Sequence, residues 1–240
     1  MRVDCVDVEG SLAAIESMVR EGGPPRLVAT VNPEFVMRAR ADEALRLALE
    51  QAALCVPDGT GVVWAMRRQG CRGQPRVAGS DLVPLVCRLC ARNGWRPFFL
   101  GALPGVAAEA ARRLEQQVPG FVVAGTHPGS PGPDGDEESL QRIRAARPDL
   151  LLVAYGNPKQ ELWFARNRGR LEVPVAIGVG GTLDFVAGRA RRAPGPVQRI
   201  HLEWLWRLAM EPWRIRRMAV LPVYAVEVLR SSDGRPGSVR

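Results

Sequence analysis

The chain has 240 residues, of which 46% are hydrophobic and 24% are charged, so it can bury a large core and is not a disordered or fibrous protein. The longest apolar run, residues 218–226, contains about nine residues and includes a proline, whereas a membrane-spanning helix needs about 20. No segment is therefore predicted to cross a bilayer.

The formal charge of +8 and the isoelectric point near 10.2 first suggest nucleic acid or an anionic membrane surface as a partner. Residues 189–240 contain eleven arginines against four acidic residues, a net charge of +7, so nearly all of the excess lies in this C-terminal stretch. The rest of the chain is close to neutral. Lys159 is the only lysine, which fits a general bias towards arginine, and it lies close in sequence to a polar motif described below.

The amino terminus, residues 1–10, carries acidic residues where a secretory signal has an apolar stretch, so we expect a cytoplasmic protein.

The five cysteines of the chain are scattered, which is more typical of a reducing compartment than of a disulfide framework. Cys87 and Cys90 form a C-x-x-C within an apolar stretch, far in sequence from His127 and His201. This pattern predicts helix packing and not a metal site.

Apolar runs typical of strands alternate with helical patterns along the chain. The predicted strands are residues 3–8, 27–31, 53–56, 97–100, 121–124, 149–154 and 175–179. The predicted helices are residues 11–20, 41–51, 61–69, 81–93, 105–117, 137–147 and 158–168. Because the strands are continuously apolar, they predict a mostly parallel sheet covered on both faces, a Rossmann-like, doubly wound α/β fold.

The pattern changes after the segment RARRAPGP, residues 189–196, to tryptophan-rich and arginine-rich helix. We therefore predict an α/β body over residues 1–195, a helical, membrane-associating appendage over residues 196–230 and a flexible tail over residues 231–240. Pro212 and Pro222 are expected to divide the appendage into short helices.

Polar and glycine-rich residues follow the predicted strands at the points where each strand ends. Thr30 and Asn32 follow one strand, Asp58 the next, Gly101 opens the segment GALPG, and Gln160 lies in YGNPKQE. Each also fits a structural role, such as a turn, a helix cap or a capping box. Because parallel strands place these exits at one edge of a sheet, together they favour a ligand site there.

Two further segments resemble nucleotide or metal motifs only weakly. GALPG could offer backbone N–H groups to an anion, but it is neither a dinucleotide fingerprint nor a P-loop, which disfavours a nucleotide-binding oxidoreductase. Asp134 and Asp136 form a D-x-D that could suggest a metal site for a sugar nucleotide. More acidic residues follow in the first turn of a predicted helix, where they favour the helix dipole, so we predict a helix start.

Seven segments in order along the chain resemble the WecG/TagA/CpsF family of bacterial glycosyltransferases. They are TVNPEF (30–35), PDGTGVVWAMRRQG (57–70), RVAGSDL (76–82), FFLGALPGVAAEAARRL (98–114), YGNPKQE (155–161), GVGGTLDFVAGRARRAP (178–194) and HLEWLWRLAMEPWRIRR (201–217). The resemblance implies transfer of an N-acetylmannosamine-type sugar from a UDP donor to undecaprenyl-diphosphate-linked N-acetylglucosamine, with inversion and without a metal or other cofactor. It also implies a place at the inner face of the cytoplasmic membrane, in the synthesis of teichoic acid or other cell-surface polysaccharide.

The resemblance also implies site residues. The family's catalytic base corresponds to Asp58, and its donor-site residues correspond to Thr30, Arg76 and Gln160. Its C-terminal arginines correspond to Arg207, Arg214 and Arg217. These three residues would share one face of a helix. We add Asn32 and Gly101 as substrate-binding candidates at the same edge. Tyr155 stands where a small residue or leucine is common in the family, which leaves the shape of the sugar pocket open.

This chemistry suits the residue types. Displacement at an anomeric carbon needs a base for the attacking hydroxyl and compensation for the charge on the UDP leaving group, and Asp58 and the arginines offer these. Trp204, Trp206 and Trp213 suit a headgroup interface, although they could equally pack as core. The alternative, a basic nucleic-acid-binding α/β protein, needs a groove with stacking aromatics, whereas aromatic residues make up 6% of the chain. The exact sugar and any homo-oligomer stay open.

Overall fold

The structure, a computed structural model, describes residues 1–191, 193–195, 197, 203–210 and 215–231. Of residues 207, 216, 217 and 231 it describes the backbone and not the side chains. All statements below concern these residues.

A six-stranded, all-parallel sheet forms the centre of the body, in the strand order β2-β1-β6-β5-β3-β4. The strands are β1 (Arg26–Val31), β2 (Leu54–Pro57), β3 (Pro97–Gly101), β4 (Gly125–His127), β5 (Leu150–Ala154) and β6 (Val175–Gly178). Thr30 on β1 is in register with Val56 on β2, and Val28 with Ile177 on β6. The carboxyl ends of β1, β2, β5 and β6 therefore meet at one edge.

Helices cover both faces of this sheet. Those of the body are α1 (Val8–Glu21), α2 (Pro33–Ala41), α3 (Glu43–Glu50), α4 (Thr60–Arg68), α5 (Gly79–Asn93), α6 (Val106–Gln117), α7 (Asp136–Ala146), α8 (Lys159–Asn167) and α9 (Thr182–Val186). The described helices of the C-terminal segment are α10 (Glu203–Met210), α11 (Ile215–Met218) and α12 (Val220–Ser231).

Two apolar cores lie on opposite faces of the sheet. Along β1, Val28 belongs to the core that α1, α5, α6 and α9 share, whereas Leu27 and Ala29 belong to the core of α2, α3, α7 and α8. This alternation follows from the two-residue period of a strand. The arrangement confirms the predicted Rossmann-like, doubly wound α/β fold.

Two predicted strands are misplaced. Residues 3–8 form no strand, because Asp7 caps α1 by accepting a hydrogen bond from the Gly10 N–H at 2.7 Å, so the helix begins at Val8. The segment before it runs beside β2, where the Asp4 N–H donates to the Cys55 carbonyl at 2.9 Å. The strand expected over residues 121–124 instead comprises Gly125–His127. Helices α2 and α9 were not predicted as separate elements.

The scattered cysteines did not indicate a disulfide framework, but two of them are paired. Cys5 and Cys71 form a disulfide, with their Cα atoms 6.2 Å apart. They meet because the amino-terminal segment reaches the loop after α4, where the Gln74 side chain donates to the Val6 carbonyl at 2.6 Å. Cys87 and Cys90 are free and buried inside α5, as the helix-packing prediction states.

The C-terminal helices pack onto the body through α12. Tyr224 and Val228 are buried against Ala65 of α4, and Arg40 of α2 forms a 2.9 Å ion pair with Glu227. Pro222 was expected to divide two helices but lies inside α12, in its first turn, where proline is tolerated. The break between α11 and α12 falls at residue 219. Pro212 and the tail from residue 232 onwards lie outside the described residues.

No helix in the described part of the chain is long and apolar enough to span a membrane.

Candidate active site

A cavity of about 820 Å³ opens at the carboxyl edge of the sheet, between the strand ends and the C-terminal helices. This volume lies within the range of about 300–1,000 Å³ that small-molecule sites occupy. Five predicted site residues line it, namely Thr30, Asn32, Asp58, Arg76 and Gln160. The sheet topology thus brings together residues that lie as far as 130 positions apart in the sequence.

Asp58 follows β2 directly in the sequence, and its side chain lies beside the first residue of helix α5. Its Oδ2 accepts a hydrogen bond from the Gly79 N–H at 3.3 Å. A Cβ built on Gly79 would lie 3.7 Å from Asp58 Oδ2, 3.4 Å from Thr30 Cγ2 and 3.7 Å from Thr182 Oγ1. These three side chains therefore surround one glycine at a helix N-terminus, where the helix dipole favours the carboxylate.

Thr30 and Asn32 line the cavity and also form hydrogen bonds with the backbone. The Thr30 hydroxyl donates to the Gly178 carbonyl at 3.1 Å and so links the ends of β1 and β6. The Asn32 Oδ1 accepts from the Phe35 N–H at 3.0 Å and caps α2. Asn32 therefore has the alternative role of a helix cap. Because it also lines the cavity, its role in substrate binding stays a prediction.

Gln160 is held on two sides, with 2% of its surface exposed. Its Nε2 donates to Glu161 Oε1 at 2.7 Å, and its Oε1 accepts from the Gly180 N–H at 3.1 Å. A Cβ at Gly178 would lie 2.5 Å from Gln160 Nε2 and 2.6 Å from Glu161 Oε1, so only glycine fits there. The two hydrogen bonds therefore hold the side-chain amide of Gln160 in one orientation.

Glu161 is a residue that sequence reasoning missed. Its side chain is fully buried, and burial raises the pKa of its carboxyl to about 8, against a smaller lowering by the Gln160 hydrogen bond. The carboxyl is therefore mostly protonated at neutral pH. The signal in the sequence was an acidic residue adjoining Gln160 in a motif already singled out.

Arg76 is paired with a second missed residue, Glu203, at the start of α10. Its Nη2 donates to Glu203 Oε2 in a close ion pair, and Asp81 Oδ2 lies 4.0 Å from the same nitrogen. Glu203 is 7% exposed and lines the cavity. The sequence signal was an acidic residue at the head of an arginine-rich segment.

The C-terminal helices add apolar side chains to the wall. Trp204, Met218, Leu221 and Tyr224 all line the cavity. The Tyr224 hydroxyl donates to the Gly61 carbonyl at 3.3 Å, and burial raises its pKa to about 12. The cavity is therefore formed jointly by the body and the C-terminal segment.

Some predicted residues do not join this cavity. Gly101 does not line it: its φ is +97° and a Cβ there would lie 2.8 Å from the Ala154 carbonyl carbon, so its role is the close approach of β3 to β5. Its assignment as a substrate-binding residue stays a prediction that this cavity does not support. Lys159 is exposed and does not line the cavity either.

The three predicted C-terminal arginines remain predictions. Arg214 lies outside the described residues, and the side chains of Arg207 and Arg217 lie outside them too. Of the predicted interfacial tryptophans, Trp204 is exposed and lines the cavity, Trp206 is partly buried, and Trp213 is not described.

The D-x-D segment is the start of a helix, as predicted. Asp136 begins α7 and pairs with Arg166 at 2.6 Å, which lowers the pKa of the Asp136 carboxyl. Among the residues that the structure describes, no group of three or more His, Cys, Asp or Glu side chains is arranged to hold a metal ion.

The cavity thus combines a carboxylate that can accept a proton, a guanidinium that can pair with an anion, and a fixed amide beside glycine-rich backbone. This combination suits attack by a hydroxyl on a substrate with an anionic leaving group.

The profile of the Glycosyl transferase WecG/TagA/CpsF family matches residues 1–236 of the chain. A protein of Bacillus spizizenii is 33% identical over 231 residues, which cover 95% of this chain and 89% of that protein. A protein of Bacillus subtilis is 33% identical over 87% of this chain and 81% of its own length. One from Staphylococcus aureus strain MW2 is 33% identical over 85% and 80%. Each is named N-acetylglucosaminyldiphosphoundecaprenol N-acetyl-beta-D-mannosaminyltransferase.

Proposed function

The chain belongs to the WecG/TagA/CpsF family of glycosyl transferases, and from this premise we propose that it is a hexosyltransferase acting on undecaprenyl-diphosphate-linked N-acetylglucosamine. The sugar transferred is of the N-acetylmannosamine type, and its donor is the UDP sugar. The product belongs to the synthesis of a bacterial cell-surface polymer. The relatives' shared name supports the acceptor and the sugar.

One observation carries this proposal within the chain itself. Thr30, Asn32, Asp58, Arg76 and Gln160, which the resemblance and the strand-end positions select, line one cavity at the carboxyl edge of a parallel sheet. Ligands of open α/β sheets bind at this edge. A chain that kept only the fold would not need these polar groups to converge.

In the proposed reaction, Asp58 accepts the proton of the acceptor hydroxyl as that oxygen attacks the anomeric carbon. The bond from this carbon to the diphosphate oxygen breaks as the new glycosidic bond forms, so a single displacement inverts the configuration. Arg76 neutralises charge on the departing UDP, and Thr30, Asn32 and Gln160 hold the donor. The arginines at 207, 214 and 217 are proposed to assist Arg76, without a metal ion.

The place of this reaction is proposed to be the cytoplasmic face of the membrane. The acceptor named for the relatives is a lipid. Apolar side chains are exposed on the C-terminal helices, among them Ile215, Val223, Val226 and Leu229, and the same segment carries most of the excess positive charge. Such a surface suits peripheral attachment to anionic lipid.

A product analysis tests the proposal. Purified protein is incubated with a short-chain lipid-linked N-acetylglucosamine and with UDP-N-acetylmannosamine, its uronic acid or UDP-N-acetylglucosamine in turn. We expect mass spectrometry to find one added sugar with one of the first two donors, and NMR to find inverted anomeric configuration. EDTA should leave the rate unchanged. Transfer from none of these donors would contradict the proposed function, and loss with EDTA that magnesium or manganese restores would contradict metal independence alone.

A further inference from the structure

The ion pair between Arg76 and Glu203 joins the α/β body to the C-terminal helix α10 across 127 positions of sequence. Both side chains are largely shielded from solvent, with 18% of Arg76 and 9% of Glu203 exposed. Since burial reduces solvent screening, this pair is stronger than a surface ion pair. Glu203 also lines the cavity, so its carboxylate and the proposed donor face the same guanidinium.

The guanidinium of Arg76 already has acidic neighbours. Arg76 Nη2 is bonded to Glu203 and lies 4.0 Å from Asp81, so two carboxylates lie beside this guanidinium. A diphosphate that approached Arg76 while Glu203 stayed in place would bring further negative charge beside a shielded carboxylate. Such a like-charge contact is unfavourable in a partly buried site.

We propose that Glu203 is an internal competitor for Arg76, and that the diphosphate of the nucleotide donor takes its place on the guanidinium when the donor binds. This inference rests on the proposed function, since it takes the ligand of Arg76 to be a nucleoside diphosphate. Donor binding is thereby coupled to release of a contact between α10 and the body. Glu203 sets donor affinity and the position of α10 together.

A competitor of this kind weakens ligand binding, because only the molecules in which Arg76 is free of Glu203 can bind. The apparent Kd is the intrinsic Kd divided by the fraction of such molecules. If Glu203 occupies Arg76 in about nine molecules of ten, removing its charge strengthens diphosphate binding about tenfold. Glu203→Gln keeps the size of the side chain and removes the charge. If the carboxylate instead held Arg76 in position for the donor, Glu203→Gln would weaken diphosphate binding.

Glu227→Gln is a matched control within the same segment. Glu227 also ties a C-terminal helix to the body, through its 2.9 Å ion pair with Arg40, but it does not line the large cavity. An effect that came only from loosening the C-terminal helices would appear in both variants. Uridine is the matched ligand control, because it lacks the phosphates for which Glu203 competes.

The experiment measures the Kd of UDP and of uridine by calorimetry for the wild type, Glu203→Gln and Glu227→Gln, with thermal unfolding to verify folding. We expect Glu203→Gln to lower the Kd of UDP about tenfold and to leave that of uridine unchanged, with no change in Glu227→Gln. If Glu203→Gln does not fold, Glu203→Asp, which withdraws the carboxylate by one methylene, is expected to tighten UDP binding by a smaller factor.

Three results would overturn the inference while the wild type binds UDP: unchanged or weaker UDP binding in the Glu203 variant, equal tightening of uridine, or the same effect in Glu227→Gln. Absence of UDP binding in the wild type and in Glu203→Gln would instead overturn the UDP donor of the proposed function, and the inference with it. The wild-type measurement therefore separates the two failures.

Discussion

Two carboxyl groups near the same sheet edge have opposite environments. Asp58 lines the cavity and accepts a backbone N–H at the start of α5, whereas Glu161 is fully buried behind Gln160. Asp58 faces the cavity, whereas burial favours the neutral form of Glu161. The first suits a base, and the second suits a fixed support for a neighbouring amide.

The buried Glu161 carboxyl makes stability depend on pH. Its ordinary pKa is 4.5 and its pKa in the folded protein is about 8, so between these values the folded chain holds a proton that the unfolded chain has released. The free energy of unfolding should therefore fall as pH rises through this window, by about 1.4 kcal/mol per pH unit from this group, and level off above the folded pKa.

The Glu161→Gln variant isolates this contribution, because all other titrating groups are shared with the wild type. Urea unfolding at several pH values between about 5 and 9 should show the wild type losing stability relative to Glu161→Gln as the pH rises. A difference between the two proteins that is independent of pH would show that the Glu161 carboxyl does not titrate in this window.

Residues whose role depends on a local motif could be predicted from the sequence, whereas those whose role depends on a distant partner could not. Thr30, Asp58 and Gln160 follow apolar strands, and the topology of a parallel sheet then brings them together. Glu203 pairs with Arg76 across 127 positions, and the sequence around either residue does not predict this pairing. Gly101 was assigned to the ligand site because a glycine at a strand end fits both anion binding and close strand packing.

Among the elements, five of the six strands were predicted from their apolar runs, and the sixth was misplaced. Strands β1, β2, β3, β5 and β6 lie within one residue of their predicted bounds. Strand β4 has three residues at the edge of the sheet, so its pattern is too short to fix its position. The first predicted strand failed because a side-chain cap at Asp7 starts a helix inside the apolar run.

Tyr224 holds α12 on the body and lines the candidate site. Tyr224→Phe removes its bond to the Gly61 carbonyl and should cost about 1 kcal/mol, whereas Tyr224→Ala also removes buried packing and should cost about 3–5 kcal/mol. Because the lost contacts join α12 to the body, limited trypsin digestion should release C-terminal peptides fastest from Tyr224→Ala. Equal cleavage rates in the two variants and the wild type would contradict this docking.

At the scale of the whole molecule, exposed apolar side chains and positive charge coincide in the C-terminal segment. Sequence composition located the charge, but which apolar residues stay exposed depends on how α12 packs. The predicted boundaries at residues 195 and 230 remain predictions.

The exposed apolar side chains and the positive charge of the C-terminal segment together predict reversible binding to anionic vesicles. Replacing Val223, Val226 and Leu229 by serine removes apolar side chains that are 44–52% exposed, so the fold should persist while co-sedimentation with anionic liposomes falls severalfold. Val122, 51% exposed on the body, provides the control replacement. Unchanged co-sedimentation of the triple variant would contradict membrane attachment through α12.

We propose that the cavity at the sheet edge is a glycosyl-transfer site with Asp58 as its base. The most direct test compares the wild type with Asp58→Asn, which keeps the side-chain shape but removes the proton acceptor. Turnover with the lipid-linked acceptor should fall by about 10²–10⁴-fold, while the Kd of UDP stays within about threefold of the wild type. Near-normal turnover in a folded Asp58→Asn protein would contradict the role of Asp58 as the base.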